Sequence, residues 1–169
     1  SAEVALEQGI GEIIQKIAPF TTGSRLFMIP YHPFELGATE LPREYEMILF
    51  RRHTMRVTEA IAGEHNHDAI ITGDSLGQVA SQTMENLRTV SEPVNLPIYR
   101  PLIGLNKNEI IRKAKDYETY QTSIEDYRDC CSIRSTRPVT ASRVSRVKTF
   151  EEKIHVDTID AKSLLETKI

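Results

Sequence analysis

The sequence predicts an α/β domain built on a parallel sheet. Two observations carry this expectation. Three short apolar or extended runs, Leu26–Ile29, Ala69–Thr72 and Ile98–Leu102, are each followed by a longer segment with helical spacing. Alternation of that kind builds βαβ units with parallel strands. The first run is followed by Pro30 and Pro33, and the second ends at Gly73-Asp74-Ser75, as strands end in loops. Crossovers of this length are right-handed, and ligands in such sheets sit beyond the carboxyl ends of the strands. That rule points to residues 30–34, residues 73–78 and the loop after Leu102.

The elements follow in order. Residues 3–17 read as a helix, with Val4, Ile10, Ile13, Ile14 and Ile17 roughly on one face. Thr21–Ser24 is a loop. The run Leu26–Ile29 reads as a strand buried on both faces. Pro42 suits a helix start, and Glu44 and Glu46 lie where the helix dipole favours acids. That helix extends to about Glu64, with Phe50, Thr54, Val57 and Ile61 as its expected inner stripe. The strand Ala69–Thr72 leads into a helix expected from about Leu76 to Val90, with Val79, Thr83, Leu87 and Val90 on one side. Asn106 reads as an N-cap with Glu109 as its capping-box partner. Ile110, Ile111, Ala114 and Tyr117 give the following helix its apolar face. From about Tyr120 to Thr140 there is no clear period and a loop is expected. The last stretch, about 141–169, is expected to be helical and solvent-facing.

A chain of 169 residues with 40% apolar content suits one compact domain. The net charge of −3 decides nothing about nucleic acid, because charge can segregate locally. No apolar run approaches the roughly 20 residues of a membrane-spanning helix. No secretory signal is visible, which fits a cytoplasmic location. The two cysteines, Cys130 and Cys131, are adjacent. Adjacent cysteines make a strained bridge, and two thiols fall short of a four-ligand zinc site. Inert buried thiols and reactive thiols both remain open.

Three segments have the residue types for chemistry. In Ile71–Thr83 a strand enters a glycine turn and then the expected helix. Free N–H groups at a helix start favour phosphate, and Gly73 and Gly77 permit close backbone approach. Gln78 and Gln82, one helical turn apart, would face one ligand, beside Asp74. The plain alternative is a strand-to-helix turn with Ser75 as cap. The segment is not a P-loop, which needs Gly-Lys-Ser/Thr. The second segment is Arg128-Asp129-Cys130-Cys131-Ser132-Ile133. From Arg128 to Lys148 there are six basic residues, Arg134 among them, and one acid, Asp129. A positive surrounding favours thiolate, whereas a thiol pair beside a solvated basic face is the alternative. The third is Arg51-Arg52, whose plain reading is a pair of solvated helical arginines. The histidines show no metal-ligand spacing, and no metal site is expected.

Together these segments are familiar. Ile71–Thr83, then Arg100–Gly104, then Asp129-Cys130-Cys131, preceded by the arginine-bearing helix Glu44–Arg52, closely resemble the tRNA 4-thiouridine synthetase family, also called the thiamine-biosynthesis sulfurtransferases. The resemblance runs from about Leu26 to Pro138, in the family's order and close to its spacing. It implies a three-layer PP-loop fold of the adenine-nucleotide α-hydrolase type. It implies that ATP, with Mg2+, adenylates O4 of uridine 8 in tRNA, and that a persulfide-derived sulfur then displaces AMP. By position, Arg51, Gly73 and Gln82 match nucleotide contacts. Asp74, Gln78, Arg128 and Arg134 are further candidates for ATP or tRNA contact. Cys131 matches the sulfur-handling cysteine through its seven-residue distance to Pro138, with Cys130 one position away as the second candidate. Implied partners are tRNA and a cysteine desulfurase or other persulfide donor, and supply of sulfur to the thiamine thiazole is a further implied role.

The family's Ser-Gly-Gly-x-Asp-Ser loop, which binds pyrophosphate, is absent from these residues. The expectation is therefore a single partial PP-loop domain over 1–169, core about 25–140, incomplete at its N-terminus and inactive alone. A sheet without its first strands leaves an edge open to a second copy, so a homodimer is one expected arrangement. Two other readings stand beside this one: a PP-loop ATP pyrophosphatase acting on a small molecule, and a non-catalytic module binding RNA or a partner. A tRNA-contacting basic loop separates the first from the leading reading, and the sequence preceding Ser1 separates the second.

Overall fold

The computed structural model describes residues 9–125 and 138–153, and the backbone of 165–168. The chain divides into two compact units. One is drawn from Ser1–Pro30, Asn106–Ser132 and Lys162–Ile169, the other from Tyr31–Leu105 and Ile133–Ala161.

In the first unit, helix α1 spans Gly11–Ile17 and continues into a 3-10 turn at Ala18–Phe20, where Pro19 suits the first turn. Strand β1 covers Arg25–Met28 and pairs antiparallel with β4, Leu165–Lys168, in the register Arg25↔Lys168 to Met28↔Leu165. This corrects two expectations. The run Leu26–Ile29 is not a doubly buried parallel strand; its described residues are exposed to half-buried. The terminal stretch is not helical throughout. Helix α5, Lys107–Asp116, carries the expected capping box: Asn106 Oδ1 accepts from the Asn108 and Glu109 N–H groups, and Glu109 accepts from the Asn106 N–H at 2.7 Å. The short helix α6, Tyr120–Ser123, occupies part of the expected loop. Thr122 Oγ1 donates to Glu12 and accepts from Lys16, tying α6 to α1.

The second unit is organised by helix α3, Arg43–Glu64, with the short α2, His32–Ala38, before it. Phe34, Ile48, Leu49, Val90 and Val147 are almost fully buried at its core. The inner stripe of α3 is Tyr45, Ile48, Leu49, Arg52, Met55 and Ala62, not Phe50, Thr54, Val57 and Ile61. An arginine in the middle of the true stripe disguises it. Strands β2, Ile70–Ile71, and β3, Ile98–Tyr99, pair in parallel, Ile70↔Ile98 and Ile71↔Tyr99, which is the parallel pairing expected. Helix α4 spans Met84–Ser91, much shorter than expected. Gly77 at φ +74° cannot continue a right-handed helix, and Val79 is extended. The helix begins only where Thr83 can cap it by accepting from the Asn86 N–H.

Helix α7, Val144–Glu151, is not a solvent-facing tail. Val147 is fully buried, and Glu151 bonds the Arg52 guanidinium at 2.8 and 2.9 Å. Arg52 has no exposed surface; it also reaches Glu92 at 2.9 Å and the Thr89 carbonyl. The solvated reading of Arg52 is therefore corrected. The arginine is a core cross-link between α3, α4 and α7.

Candidate functional site

The site is assembled at the carboxyl end of β2. The chain leaves this strand through Thr72-Gly73-Asp74-Ser75, and Asp74 turns inward, 4% exposed. Four donors converge on its carboxylate. Oδ1 accepts from Arg51 Nη2 on α3 and from Gln82 Nε2 at 3.4 Å. Oδ2 accepts from the Thr72 hydroxyl at 2.8 Å and from Arg100 Nε at 3.1 Å. Burial alone would raise the Asp74 pKa, but the Thr72 hydroxyl and the Arg51 and Arg100 guanidinium groups outweigh it and hold the carboxyl below its ordinary range.

Each arginine is anchored a second time. Arg51 Nη1 donates to the Ser81 carbonyl at 3.0 Å, and Arg100 Nη2 donates to the Ser91 hydroxyl at 2.7 Å. Two guanidinium groups face one carboxylate, so this cluster keeps one surplus positive charge. Their side chains remain 19% and 17% exposed, and each guanidinium has five N–H donors to offer. The arrangement is suited to an anion held in a partly desolvated place, where charge-assisted hydrogen bonds are strong.

The turn is fixed from below. Ser75 does not cap a helix; its hydroxyl is buried and donates to the Leu105 carbonyl at 2.8 Å. The Leu76 N–H donates to the Ile103 carbonyl at 3.0 Å, and the Gly77 N–H to the Gln82 carbonyl at 2.9 Å. Gly73 is exposed, and a Cβ built on it would meet nothing within 4 Å. Open space lies over that residue.

The structure thus brings Arg51, Gly73, Asp74 and Gln82 together. Gln78 does not join them: it is exposed in the turn before the 3-10 segment Ala80–Gln82, so its helical phase with Gln82 does not exist. The helix N-terminus expected beside Gly73 is likewise absent, because α4 starts at Met84. Residues 30–34 serve packing, since α2 begins there and Phe34 enters the core. Arg128, Cys130, Cys131 and Arg134 lie outside the described residues.

Sequence reasoning assigned no role to Arg100 or Asn86. Arg100 follows β3 directly, at the carboxyl end of the strand paired with β2, so the strand-end rule could have found it. Asn86 is fully buried. Its amide donates to the Ala80 and Val139 carbonyls at 2.7 and 2.8 Å, and its oxygen accepts from the Ser142 N–H at 3.0 Å. It clamps the turn carrying Gln82 to the backbone at residues 139–142. A buried asparagine in the first turn of a helix leaves no periodic signal. Among the described residues, no group of three or more His, Cys, Asp or Glu side chains could hold a metal ion, and no helix is long and apolar enough to cross a membrane.

The family described as Thiamine biosynthesis protein (ThiI) matches residues 2–156. The chain belongs to this family. It is 38% identical over 159 residues to a probable tRNA sulfurtransferase of Thermus thermophilus, covering 93% of this chain and 39% of the relative. It is 37% identical over 165 residues to a probable tRNA sulfurtransferase of Agathobacter rectalis, covering 96% of this chain and 41% of the relative. The chain therefore spans about two fifths of the curated relatives it matches. Among solved structures it resembles a 4-thiouridine synthetase in complex with RNA and bound ATP, with a TM-score of 0.88 and 31% identity, over 95% of this chain and 44% of that one. The fold of this family member is accordingly the α/β PP-loop domain that its sequence implied.

Proposed function

We propose that the full-length protein containing this chain is an ATP-dependent tRNA sulfurtransferase. In this reading ATP adenylates O4 of uridine 8, pyrophosphate leaves, and a persulfide-derived sulfur displaces AMP to give 4-thiouridine. The observation that carries the reading is the likeness to a 4-thiouridine synthetase that holds both RNA and ATP. The Arg51–Asp74–Arg100 cluster supports it, because a preorganised surplus cation beside an open backbone turn suits a nucleotide.

Arg51, Gly73 and Gln82 form the nucleotide side of the site. Arg51 offers its remaining donors to phosphate, Gly73 keeps the backbone approachable, and Gln82 supplies an amide. Mg2+ arrives with the ATP phosphates as part of the substrate. Cys131, with Cys130 as second candidate, handles sulfur in a segment rich in basic residues, where Arg128 and Arg134 attract tRNA or ATP. Gln78, on the exposed turn before Ala80–Gln82, is a further candidate for ATP or tRNA contact. The sulfur comes from a cysteine desulfurase or another persulfide donor in the cytoplasm, and the protein also supplies the thiamine thiazole. A homodimer formed through a sheet edge is part of this reading. The 169 residues hold no Ser-Gly-Gly-x-Asp-Ser, so the chain by itself neither adenylates tRNA nor binds ATP tightly.

The test is 4-thiouridine in tRNA, measured by nucleoside mass spectrometry after incubation with the full-length protein, ATP and a persulfide donor. ATP-dependent 4-thiouridine at position 8 is expected. Sulfuration that proceeds without ATP, or a product confined to small molecules, overturns the reading.

A further inference from the structure

Resting on that reading, we infer that Asp74 is a positioning residue: it does not touch the nucleotide but locks Arg51 in the geometry that does. The carboxylate is 4% exposed, and both oxygens are already occupied, by Arg51 and Gln82 on one and by Thr72 and Arg100 on the other. A buried acceptor with four donors has little surface left for a ligand. Nor would a nucleotide phosphate approach it, since like charges repel. Its partners differ from it in this respect: the Arg51 side chain keeps 19% exposure and the Gln82 residue is half-buried.

Long side chains carry rotamer freedom that a ligand must otherwise freeze, at a cost to affinity. Asp74 and the Ser81 carbonyl hold the Arg51 guanidinium at two points before any ligand arrives. Arg100, itself held by Ser91, has a different part. It is a second cation on the same carboxylate, so that Asp74 can orient Arg51 without cancelling the positive charge of the cluster. Thr72, at the end of β2, ties the carboxylate to the sheet.

The test is a mutant cycle in the full-length protein, with KM for ATP and kcat read from tRNA-dependent pyrophosphate release. Arg51→Ala and Asp74→Asn should each raise KM for ATP about tenfold, with a much smaller change in kcat. Asp74→Asn added to Arg51→Ala should change KM less than twofold, because its effect passes largely through Arg51. Asp74→Glu should recover part of the affinity. If Asp74→Asn does not fold, as circular dichroism will show, Thr72→Val carries the same cycle. It leaves both ion pairs in place and should raise KM modestly in the wild-type background alone. A KM unchanged by Arg51→Ala overturns the nucleotide reading and the inference with it. A KM raised by Arg51→Ala but unchanged by the loss of Asp74 or Thr72 overturns the inference alone. So does a full, additive Asp74 effect in the Arg51→Ala background, which would mean direct contact.

Discussion

Replacing Arg52 by methionine tests whether a buried charge holds the second unit together. The guanidinium makes four hydrogen bonds: to Glu151 Oε1 at 2.8 Å, Glu151 Oε2 at 2.9 Å, Glu92 Oε2 at 2.9 Å and the Thr89 carbonyl. Breaking a buried ion pair ordinarily costs about 3–5 kcal/mol, because a charge is left stranded. Here neither acid is stranded. Arg56 still holds Glu151 through bonds of 2.6 and 2.9 Å, and Lys148 still holds Glu92 at 2.5 Å. Methionine also fills much of the volume. The main loss is the Thr89 carbonyl's donor together with the charge-assisted bonds, so the expected cost falls to about 2–3 kcal/mol. For a chain of this size that corresponds to a fall in Tm of roughly 4–12 °C. Arg56→Met is the control. Its side chain is 45% exposed, and an exposed pair contributes under about 1 kcal/mol. Differential scanning calorimetry at pH 7 reads both variants. A shift for Arg52→Met no larger than that for Arg56→Met, or a stabilisation, would refute the argument.

Acid should loosen the same cluster. Burial pushes the Glu151 carboxyl up, but Arg56 and Arg52 hold it below its ordinary value of 4.5; Lys148 and Arg52 do the same for Glu92 against a smaller burial penalty. A depressed folded-state pKa gives stability that is present above the unfolded value and lost as pH falls through the folded one. Unfolding followed from pH 7 to pH 3 should show a loss beginning near pH 4.5, and Arg52→Met should blunt it. Gln82→Ala should raise KM for ATP several-fold, leaving Tm within a few degrees; an unchanged KM would remove Gln82 from the nucleotide side. Gly73→Ala should impair ATP use while leaving the fold intact, since the added Cβ meets open space; parallel Tm and KM measurements check this. Cys131→Ser should adenylate tRNA normally and fail to form 4-thiouridine, whereas loss confined to Cys130→Ser would transfer the role by one position.

How much was legible in the sequence follows from where each signal lies. The capping box at Asn106 and Glu109 is local chemistry, and it stands as read. The parallel pairing of Ile70–Ile71 with Ile98–Tyr99 was readable because short apolar runs alternate with helices. Of three misreadings, two arise because tertiary partners override local pattern and one because a single glycine turns the backbone. Leu26–Met28 has the composition of a buried strand, yet it pairs with residues far along the chain at 165–168. The helix expected from Leu76 is cut short by the left-handed Gly77, although Val79, Thr83, Leu87 and Val90 keep helical spacing. The inner stripe of α3 was misplaced because it contains Arg52, whose neutralising acids come from α7 and from Glu92 just past α4, as no helix-period argument can foresee. In the candidate site, Arg51, Gly73 and Gln82 were legible through a family pattern. Asp74, the shared partner of Arg51 and Gln82, was legible only as a candidate ligand contact, since nothing in its sequence position says that four donors will close on it.

The two adjacent arginines of α3 show how packing and chemistry are joined in this chain. Successive residues on an α-helix point about 100° apart, so a helix that turns Arg52 into the core must present Arg51 to one side of it. Arg52 fixes that rotation through Glu92 and Glu151, which belong to the chain beyond α4 and to α7. Arg51 then meets Asp74 at the carboxyl end of β2, where the strand-end rule places ligands. Asn86 acts similarly from the other side, since the turn that carries Gln82 is hung from its amide. The buried polar residues of the second unit therefore set the positions of the exposed ones. Two fully buried residues, Arg52 and Asn86, thus hold the segments that carry Arg51 and Gln82, and Asp74 meets both side chains where those segments converge.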